Sequence, residues 1–483
     1  MFAARKVGLA LLLESTANGA PTLPVKSATT ETLDRLRRFE SRNVTFIDPD
    51  GSWPIVWEKA RGCHVWDADG KRYLDLTAAF GVAAAGHANA RVVAAGRRQM
   101  GKLLHAMGDV HPHALKANLA RALSRITFER WSRASKREGG KDFEQRPDQP
   151  FHASTLPRAK TIFCNSGFEA VEAALKTALL ATGRAGIIAF EGAYHGLGYG
   201  TLSATHRDIF RSPFKSQLGR FGRFAPFPYD ESALPELEAK LRQFLTASRI
   251  GAILVEPIQA RGGIRIPPPG LLPLLRRLCD EHGALLILDE IYTGFGRTGR
   301  WFACEHVGVI PDIICLGKAL TGGFPLSACV GLTEWMDAAW PVSSGEAIHT
   351  STFLGHPVGC AMALAQISEI NRLELIAHSA RVGRFLMEIL DGALRLCGST
   401  ARSRGLGLMV GIEFFTARGA PASAATIALI KRLLARGLIL LPEGEHGNVL
   451  SFTPPLTIRE RDLSRALRLI TDELRTLVGA DLA

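Results

Sequence analysis

The chain has 483 residues, 47% hydrophobic and 22% charged, an ordinary globular balance that excludes a disordered chain and suffices to bury a core in two or three structural units. The net charge of +12 raises the question of nucleic acid, but the densest basic stretch, Arg125 to Lys160, also contains Glu129, Glu138, Asp142, Glu144 and Asp148. No stripe of Lys and Arg interleaved with aromatics appears, so no nucleic-acid partner is expected, and the positive field favours anionic cofactors and substrates.

Residues 1–43 read as a leader, expected to be partly disordered: Arg5 and Lys6 precede a short apolar run, Val7 to Leu13, then a stretch rich in Thr, Ala and Pro. That run faintly resembles a signal or transit segment but is far too short to span a bilayer, and nothing else reaches about 18 uninterrupted apolar residues, so no membrane association is expected. From about Val44 to Gly86 short extended pieces alternate with turns, one marked by Asp69-Gly70. A helical stretch rich in Ala and Arg follows. Residues 129–157 are polar, with no periodic apolar face, and are predicted to be an inserted surface loop. Beyond Lys160, β-rich runs (Thr161 to Cys164, Gly186 to Phe190, Ala252 to Val255, Ala284 to Leu288, Ile313 to Leu316, Ser327 to Gly331) alternate with amphipathic helical stretches such as Glu169 to Thr182 and Leu271 to His282. This pattern predicts an α/β fold with a mostly parallel sheet covered on both faces. A long helical segment from about Pro357 leads to a second unit of mixed strands and helices, 371–483. No internal repeat is evident.

The eight cysteines are scattered through apolar contexts without a Cys-x-x-Cys pair, which predicts reduced core residues and a cytoplasmic location. His105, His111 and His113 lack Cys or carboxylate partners at ligand spacing, so no metal site is expected.

Ile287-Leu288-Asp289-Glu290 puts carboxylates at the C-terminal end of a buried strand, where open α/β sheets bind ligands. The next strand ends in Cys315-Leu316-Gly317-Lys318, placing a lysine on the same rim; a plain Asp–Lys salt bridge capping two strands is the alternative. Phe163-Cys164-Asn165-Ser166-Gly167-Phe168-Glu169 reads as strand, polar turn and helix, so Ser166 and the amides of Gly167 and Phe168 form an anion site, or else an ordinary helix cap. Acid, lysine and phosphate site together are what pyridoxal phosphate requires: an amine for a Schiff base, a carboxylate for the pyridinium, donors for the phosphate. Gly294-Phe295-Gly296-Arg297-Thr298-Gly299 fits a dinucleotide fingerprint, but it follows the acidic strand and no helix with a ribose-binding acid comes after it. Gly317-Lys318 lacks the earlier glycine of a P-loop.

At these residues the sequence resembles the class III pyridoxal-phosphate-dependent aminotransferases, the group of the ornithine, acetylornithine and 4-aminobutyrate enzymes and glutamate-1-semialdehyde aminomutase. The likeness runs from about Trp53 to the C-terminus. It rests on Asn165-Ser166-Gly167-x-Glu169-Ala170, Tyr194-His195-Gly196, Glu256-Pro257-Ile258-Gln259, Asp289-Glu290-Ile291-Tyr292-Thr293-Gly294-Phe295-Gly296-Arg297-Thr298-Gly299, Gly317-Lys318 and Ser351-Thr352-Phe353-x-Gly355-x-Pro357. The resemblance implies fold type I, with a large cofactor-binding domain over 96–370 and a smaller α/β domain built from 44–95 and 371–483. It implies that Lys318 forms the Schiff base and, once released by substrate, moves a proton between the substrate carbon and the cofactor. Asp289 would pair with the ring nitrogen, Ile291 and Tyr194 would cover the two ring faces, and His195 would belong to the cofactor site. Core packing is the alternative for Ile291 and Tyr194, and a compatible one. Ser166, Gly167 and Phe168 would hold the phosphate, joined by Thr352 from a second subunit, so a homodimer with shared active sites is implied. The partners are then an amino donor and a 2-oxo acid such as 2-oxoglutarate or pyruvate.

The departures concern substrate. Tyr292 stands where Gln is frequent, with a hydroxyl able to substitute for the amide, and His356 where Asn is frequent. Leu197 and Ser451 occupy positions at which those enzymes commonly place carboxylate-clamping arginines, and Arg261 stands near a usual Glu. Arg261 is therefore expected to supply the missing cation, with Glu256 and Ser451 nearby; an Arg paired elsewhere on the surface is the alternative. An amine or ω-amino acid donor follows. An aminomutase, racemase or decarboxylase on the same scaffold shares Lys318 and Asp289, and a non-catalytic regulator lacks support, since the first 50 residues contain no helix-turn-helix.

Overall fold

The computed structural model describes residues 27–137, 159–247 and 249–480. The chain divides into two compact units, Met1–Glu58 with Asp67–Gly70, and Lys59–Trp66 with Lys71–Ala483.

In the first unit, Ala28–Phe39 is an α-helix. The Ser27 hydroxyl accepts the Thr30 N–H at 3.2 Å, and the Ala28 N–H donates to Asp69 at 2.8 Å. Glu31 in the first turn and Arg37 and Arg38 in the last complement the helix dipole. Within the stretch read as a partly disordered leader through residue 43, residues 28–39 are thus helical, and these caps offset a polar composition. Residues 1–26 of that leader lie outside the described residues.

Strand β1 (Trp57–Arg61) carries the chain onward, and β2 (His64–Asp67) pairs antiparallel with β3 (Arg72–Asp75), Val65 facing Tyr73. The main sheet comprises β4 (Ala159–Cys164), β5 (Gly186–Phe190), β6 (Gly222–Ala225), β7 (Ile250–Val255), β8 (Leu285–Asp289), β9 (Ile313–Leu316) and β10 (Ser327–Leu332), in the order β4-β10-β9-β8-β7-β5-β6. From β6 to β9 all neighbours are parallel; β10 runs antiparallel to both β4 and β9, so β4 points the same way as the rest. Every residue of β7, β8 and β9 is buried. Cover on both faces is why these strands read as unbroken apolar runs. The helix Gly167–Thr182 buries Ala170, Val171, Ala173, Ala174 and Ala178 against Ile187, Leu254, Leu285 and Ile287; its small side chains bring the helix N-terminus close to the sheet rim.

The stretch expected as a polar surface loop from Glu129 begins differently. Phe128–Arg137 is helical, with Phe128 and Trp131 buried, their rings edge-on at 5.1 Å, and the Trp131 indole N–H donating to Glu305 at 3.0 Å. Two aromatic anchors suffice to dock an otherwise polar helix. Residues 138–158 lie outside the described residues.

In the C-terminal part, β11 (Ala401–Leu406), β12 (Met409–Phe414), β14 (Leu441–Glu443) and β15 (Val449–Phe452) form an antiparallel sheet in the order β11-β12-β15-β14, while β13 (Leu438–Ile439) pairs in parallel with β3. Late and early chain segments therefore share one sheet.

Ile287 is fully buried in β8 between Leu254 and Ile313. Ile287→Ala is expected to cost about 2–5 kcal/mol, read as a lower urea midpoint with an unchanged slope. A midpoint equal to that of the parent would show that this layer is not the core of the sheet.

Candidate active site

The C-terminal ends of β4, β5, β7, β8 and β9 meet on one rim, and the turns leaving them carry the polar groups. A cavity of about 370 Å³ there is lined by Gly167, Phe168, Tyr194, His195, Glu256, Arg261, Asp289, Ile291, Tyr292 and Lys318, among others. Parallel strands point their carboxyl ends at the same edge, so residues far apart in sequence converge there.

Lys318 opens a single 3-10 turn directly after β9 and has a left-handed backbone, φ 37°. Few non-glycine residues adopt that conformation, and such strain concentrates at functional sites. Burial lowers the Lys318 ammonium from its ordinary value of 10.5, against the opposing pull of Asp289, Glu256 and Glu443. Asp289 ends β8. One of its oxygens contacts His195 Nδ1 at 2.8 Å, and the other accepts the Ile291 N–H at 3.2 Å. The His195 N–H donates to the Thr205 hydroxyl at 3.0 Å, which in turn donates to the Gly196 carbonyl at 2.9 Å, holding the imidazole against the acid.

Ile291 fits between two glycines: a Cβ on Gly167 would lie 3.1 Å from its Cδ1, and one on Gly317 would lie 3.2 Å from its Cγ2. Its side chain is fixed as one wall of the cavity. Tyr194 is part of the wall too, edge-on to Phe210 at 5.6 Å, and its backbone N–H donates to Glu256 at 2.9 Å. The second Glu256 oxygen accepts the Ala260 N–H at 3.2 Å. Burial nevertheless pushes the Glu256 carboxyl up to about 7.

At the start of the helix Gly167–Thr182, Glu169 accepts the Asn165 and Ser166 N–H groups at 2.7 and 2.8 Å, while Ser166 Oγ is buried with no hydrogen-bond partner among the described residues. An orphaned hydroxyl at the N-terminus of a long helix is suited to a phosphate. Together with Lys318 and the His195-supported Asp289, these residues fit pyridoxal phosphate: amine, acid and anion site surround one cavity.

Thr352 is exposed and is not part of this chain's cavity wall; its neighbour Ser351 lies 3.5 Å from the Asn165 amide. Ser451 is buried within β15, facing Gly411 and Leu441, and is likewise absent from the wall. The side chain at a central strand position points into the packing between layers, whatever its polarity. His356 caps the helix Pro357–Arg372, its Nδ1 accepting the Val358 N–H at 3.2 Å.

Glu443, at the end of β14, escaped the sequence reading. It is 3% exposed, and its carboxylate lies 3.5 Å from the Arg261 guanidinium. Arg261 also stands over the Tyr194 ring, 5.7 Å from its centre. Arg404 anchors the Arg261 loop by donating to the carbonyls of Gly263 and Ile264, the Gly444 N–H donates to the Arg261 carbonyl at 3.2 Å, and Arg207 donates to the Gly444 carbonyl. The only local signal for Glu443 was an acid in a short turn, Pro442-Glu443-Gly444-Glu445, which is common on surfaces.

A lysine, an acid and a helix N-terminus suited to a phosphate, on the carboxyl rim of this sheet, define a pyridoxal-phosphate enzyme of fold type I. The profile of the family "Aminotransferase class-III" matches residues 47–474. The chain is similar to the 5-aminovalerate aminotransferase of Pseudomonas aeruginosa, 34% identical over 87% of this chain and 93% of that protein. It is also similar to the acetylornithine aminotransferase of Methanopyrus kandleri, 37% identical over 88% and 95%. Among solved structures, ornithine aminotransferase from Toxoplasma gondii superposes with a TM-score of 0.77 at 25% identity, covering 94% of this chain and 96% of that one. The chain belongs to the class III aminotransferases: it is an enzyme that uses pyridoxal phosphate to transfer amino groups to 2-oxo acids.

Ser166→Ala is expected to weaken retention of pyridoxal phosphate roughly tenfold, the loss of one hydrogen bond to a charged group, measured by absorbance titration of cofactor-free protein; unchanged affinity would remove Ser166 from the phosphate site. Glu256 binds its proton more tightly in the folded chain than at its ordinary 4.5. Its contribution to stability is therefore greatest at acid pH and declines by about 3 kcal/mol as pH rises through about 7. Glu256→Gln is expected to flatten that part of the stability–pH curve in urea unfolding, and an unaltered slope would contradict it.

Proposed function

We propose that the amino donor is an amine or ω-amino acid, that the acceptor is a 2-oxo acid such as 2-oxoglutarate or pyruvate, and that Arg261 grips the carboxylate remote from the reacting nitrogen. The observation that carries this reading is Arg261 itself: a partly exposed guanidinium on the wall of the cavity that holds Lys318, with a buried carboxylate, Glu443, as its resting partner. A planar guanidinium matches a carboxylate in two parallel hydrogen bonds, which neither Leu197 nor Ser451 can offer. The relatives named for 5-aminovalerate and 4-aminobutyrate support an ω-amino acid.

In this reading Lys318 is the amine that carries the cofactor. Once released, its ε-amine would move the proton at the donor's nitrogen-bearing carbon, a task for which its burial-lowered basicity suits it. Bound pyridoxal phosphate supplies the electron sink, which a cationic ring nitrogen strengthens. Asp289, oriented by His195, would hold a proton on that nitrogen. Ser166 with the Gly167 and Phe168 amides would hold the phosphate, Ile291 and Tyr194 would hold the ring, and Tyr292 borders Lys318. The enzyme works as a homodimer with shared sites: Thr352 is exposed in a single chain, and the exposed apolar side chains of Leu104, Met107, Val110 and Phe353 support a covered face. Eight buried free cysteines support a reducing, cytoplasmic setting.

The test is a panel of amines and ω-amino acids with 2-oxoglutarate or pyruvate, assayed for the new amino acid, on the parent and on Arg261→Ala. The variant is expected to raise KM for carboxylate-bearing substrates roughly 10- to 150-fold, the loss of about 1.5–3 kcal/mol, and to leave simple amines almost unaffected. Equal KM values for carboxylate-bearing substrates in parent and variant would refute the role of Arg261.

A further inference from the structure

Tyr292 makes an arrangement that its place in the cavity wall does not by itself require. Its ring lies under Lys318, with Nζ 4.4 Å from the ring centre. The hydroxyl lies 3.2 Å from the Thr453 hydroxyl, and burial pushes it up to about 12, so it stays a neutral phenol. The expectation that this hydroxyl takes over the contact of an amide is thus not what the geometry favours: the face of the ring, not its oxygen, addresses the chemistry.

The ring cannot swing away. Thr453 is itself tied down, its N–H donating to the Leu76 carbonyl at 2.8 Å and its hydroxyl to the Thr77 carbonyl at 3.1 Å. The chain then turns through left-handed conformations at Ala78, Ala79 and Phe80, with φ of 47°, 50° and 61°, and at Gly81, with φ of 78°. Three consecutive non-glycine residues in that region are strained. The turn delivers Gly81 flat against Tyr292: a Cβ there would lie 2.9 Å from the ring's Cε1. Strain is tolerated where it places something, and here it places an aromatic face.

We propose that Tyr292 is a positioning residue for Lys318, its ring seating the free ε-amine while that amine carries a proton. The proposal rests on the reading of Lys318 as the cofactor-bearing lysine. A cation over a π face is attracted by the ring quadrupole, more strongly when desolvated. Lys318 needs such a seat because it must hold a proton in a place where burial disfavours the charge. The charged groups that also act on it are Asp289 from the end of β8, Glu256 from the turn after β7, Glu443 from β14 and Arg261 from the facing loop. The carboxylates favour the ammonium from a distance and Arg261 opposes it; the ring of Tyr292 contacts it. The seat holds the amine close to the reacting carbon between taking up the proton and giving it back.

The test measures the ionisation of Lys318 in the full-length protein freed of cofactor. A small amine-acylating reagent is applied across a pH series, and modification of Lys318 is read by peptide mass spectrometry. Tyr292→Leu and Tyr292→Gln, which remove the ring, are expected to lower the midpoint by roughly 0.4–1.5 pH units. Tyr292→Phe, which keeps the ring and loses only the hydroxyl, is expected to keep the parent's midpoint. A parent midpoint in both ring-deleted variants, or an equal drop in Tyr292→Phe, overturns the proposal. Borohydride reduction of the holoenzyme separates the two levels: cofactor found on another lysine sinks the parent reading and the proposal with it, whereas cofactor on Lys318 with an unmoved midpoint sinks the seat alone.

Discussion

A lysine sunk into a cleft whose walls carry carboxylates is the interaction on which the rest of this molecule depends. Water would hold the Lys318 ammonium near its ordinary basicity; the apolar sheet under the cavity lowers it, while Asp289, Glu256 and Glu443 keep the charge from becoming prohibitive. That balance explains why so much of the surrounding structure concerns buried acids. Asp289 is supported by His195, and His195 in turn by Thr205. Glu256 is satisfied by two backbone N–H groups, one of them from Tyr194, so the acid that helps tune the lysine also fixes the backbone of an aromatic wall.

The rigid and the variable parts of the site come from different layers. The groups that fit the cofactor stand on turns at the ends of sheet strands, Asp289 and Lys318 after strands that are buried throughout, where displacement would disturb the sheet itself. The pair proposed to meet the remote end of a substrate, Arg261 and Glu443, comes instead from a loop and from a strand end. Arg261 lies in a loop held by Arg404, and its acid, Glu443, comes from the C-terminal sheet, the two joined by the Gly444 hydrogen bond. A common chemistry is thus separated from an adjustable recognition surface, since loops accept changes of side chain that a sheet would not.

Backbone strain follows the same division. Lys318 itself, and the run Ala78 to Gly81 beside Tyr292, occupy left-handed conformations. Each touches the lysine directly or through one aromatic ring, and in both cases a tight turn brings an otherwise inaccessible group to the cavity. The close packing of Gly167 and Gly317 on Ile291 is the complementary device: absent side chains where a wall must be thin.

Much of this was legible in the amino-acid sequence. Unbroken apolar runs marked the inner strands, and the acid, the lysine and the Ser-Gly turn announced their chemistry because each sits where a strand ends, a position readable from local pattern. The edge strand β6 was not, since Gly222-Arg223-Phe224-Ala225 is only half covered and lacks an apolar run. The helices at Ala28–Phe39 and Phe128–Arg137 were missed because each docks through one or two residues, Leu33 in one and Phe128 with Trp131 in the other, within a polar stretch. The partnership of Arg261 with Glu443, the burial of Ser451, the exposure of Thr352 and the face that Tyr292 turns to Lys318 were decided by tertiary structure alone. Local pattern reports which atoms a residue carries and which element it joins; what those atoms meet depends on contacts between chain segments distant in sequence, which only the packed fold brings within reach.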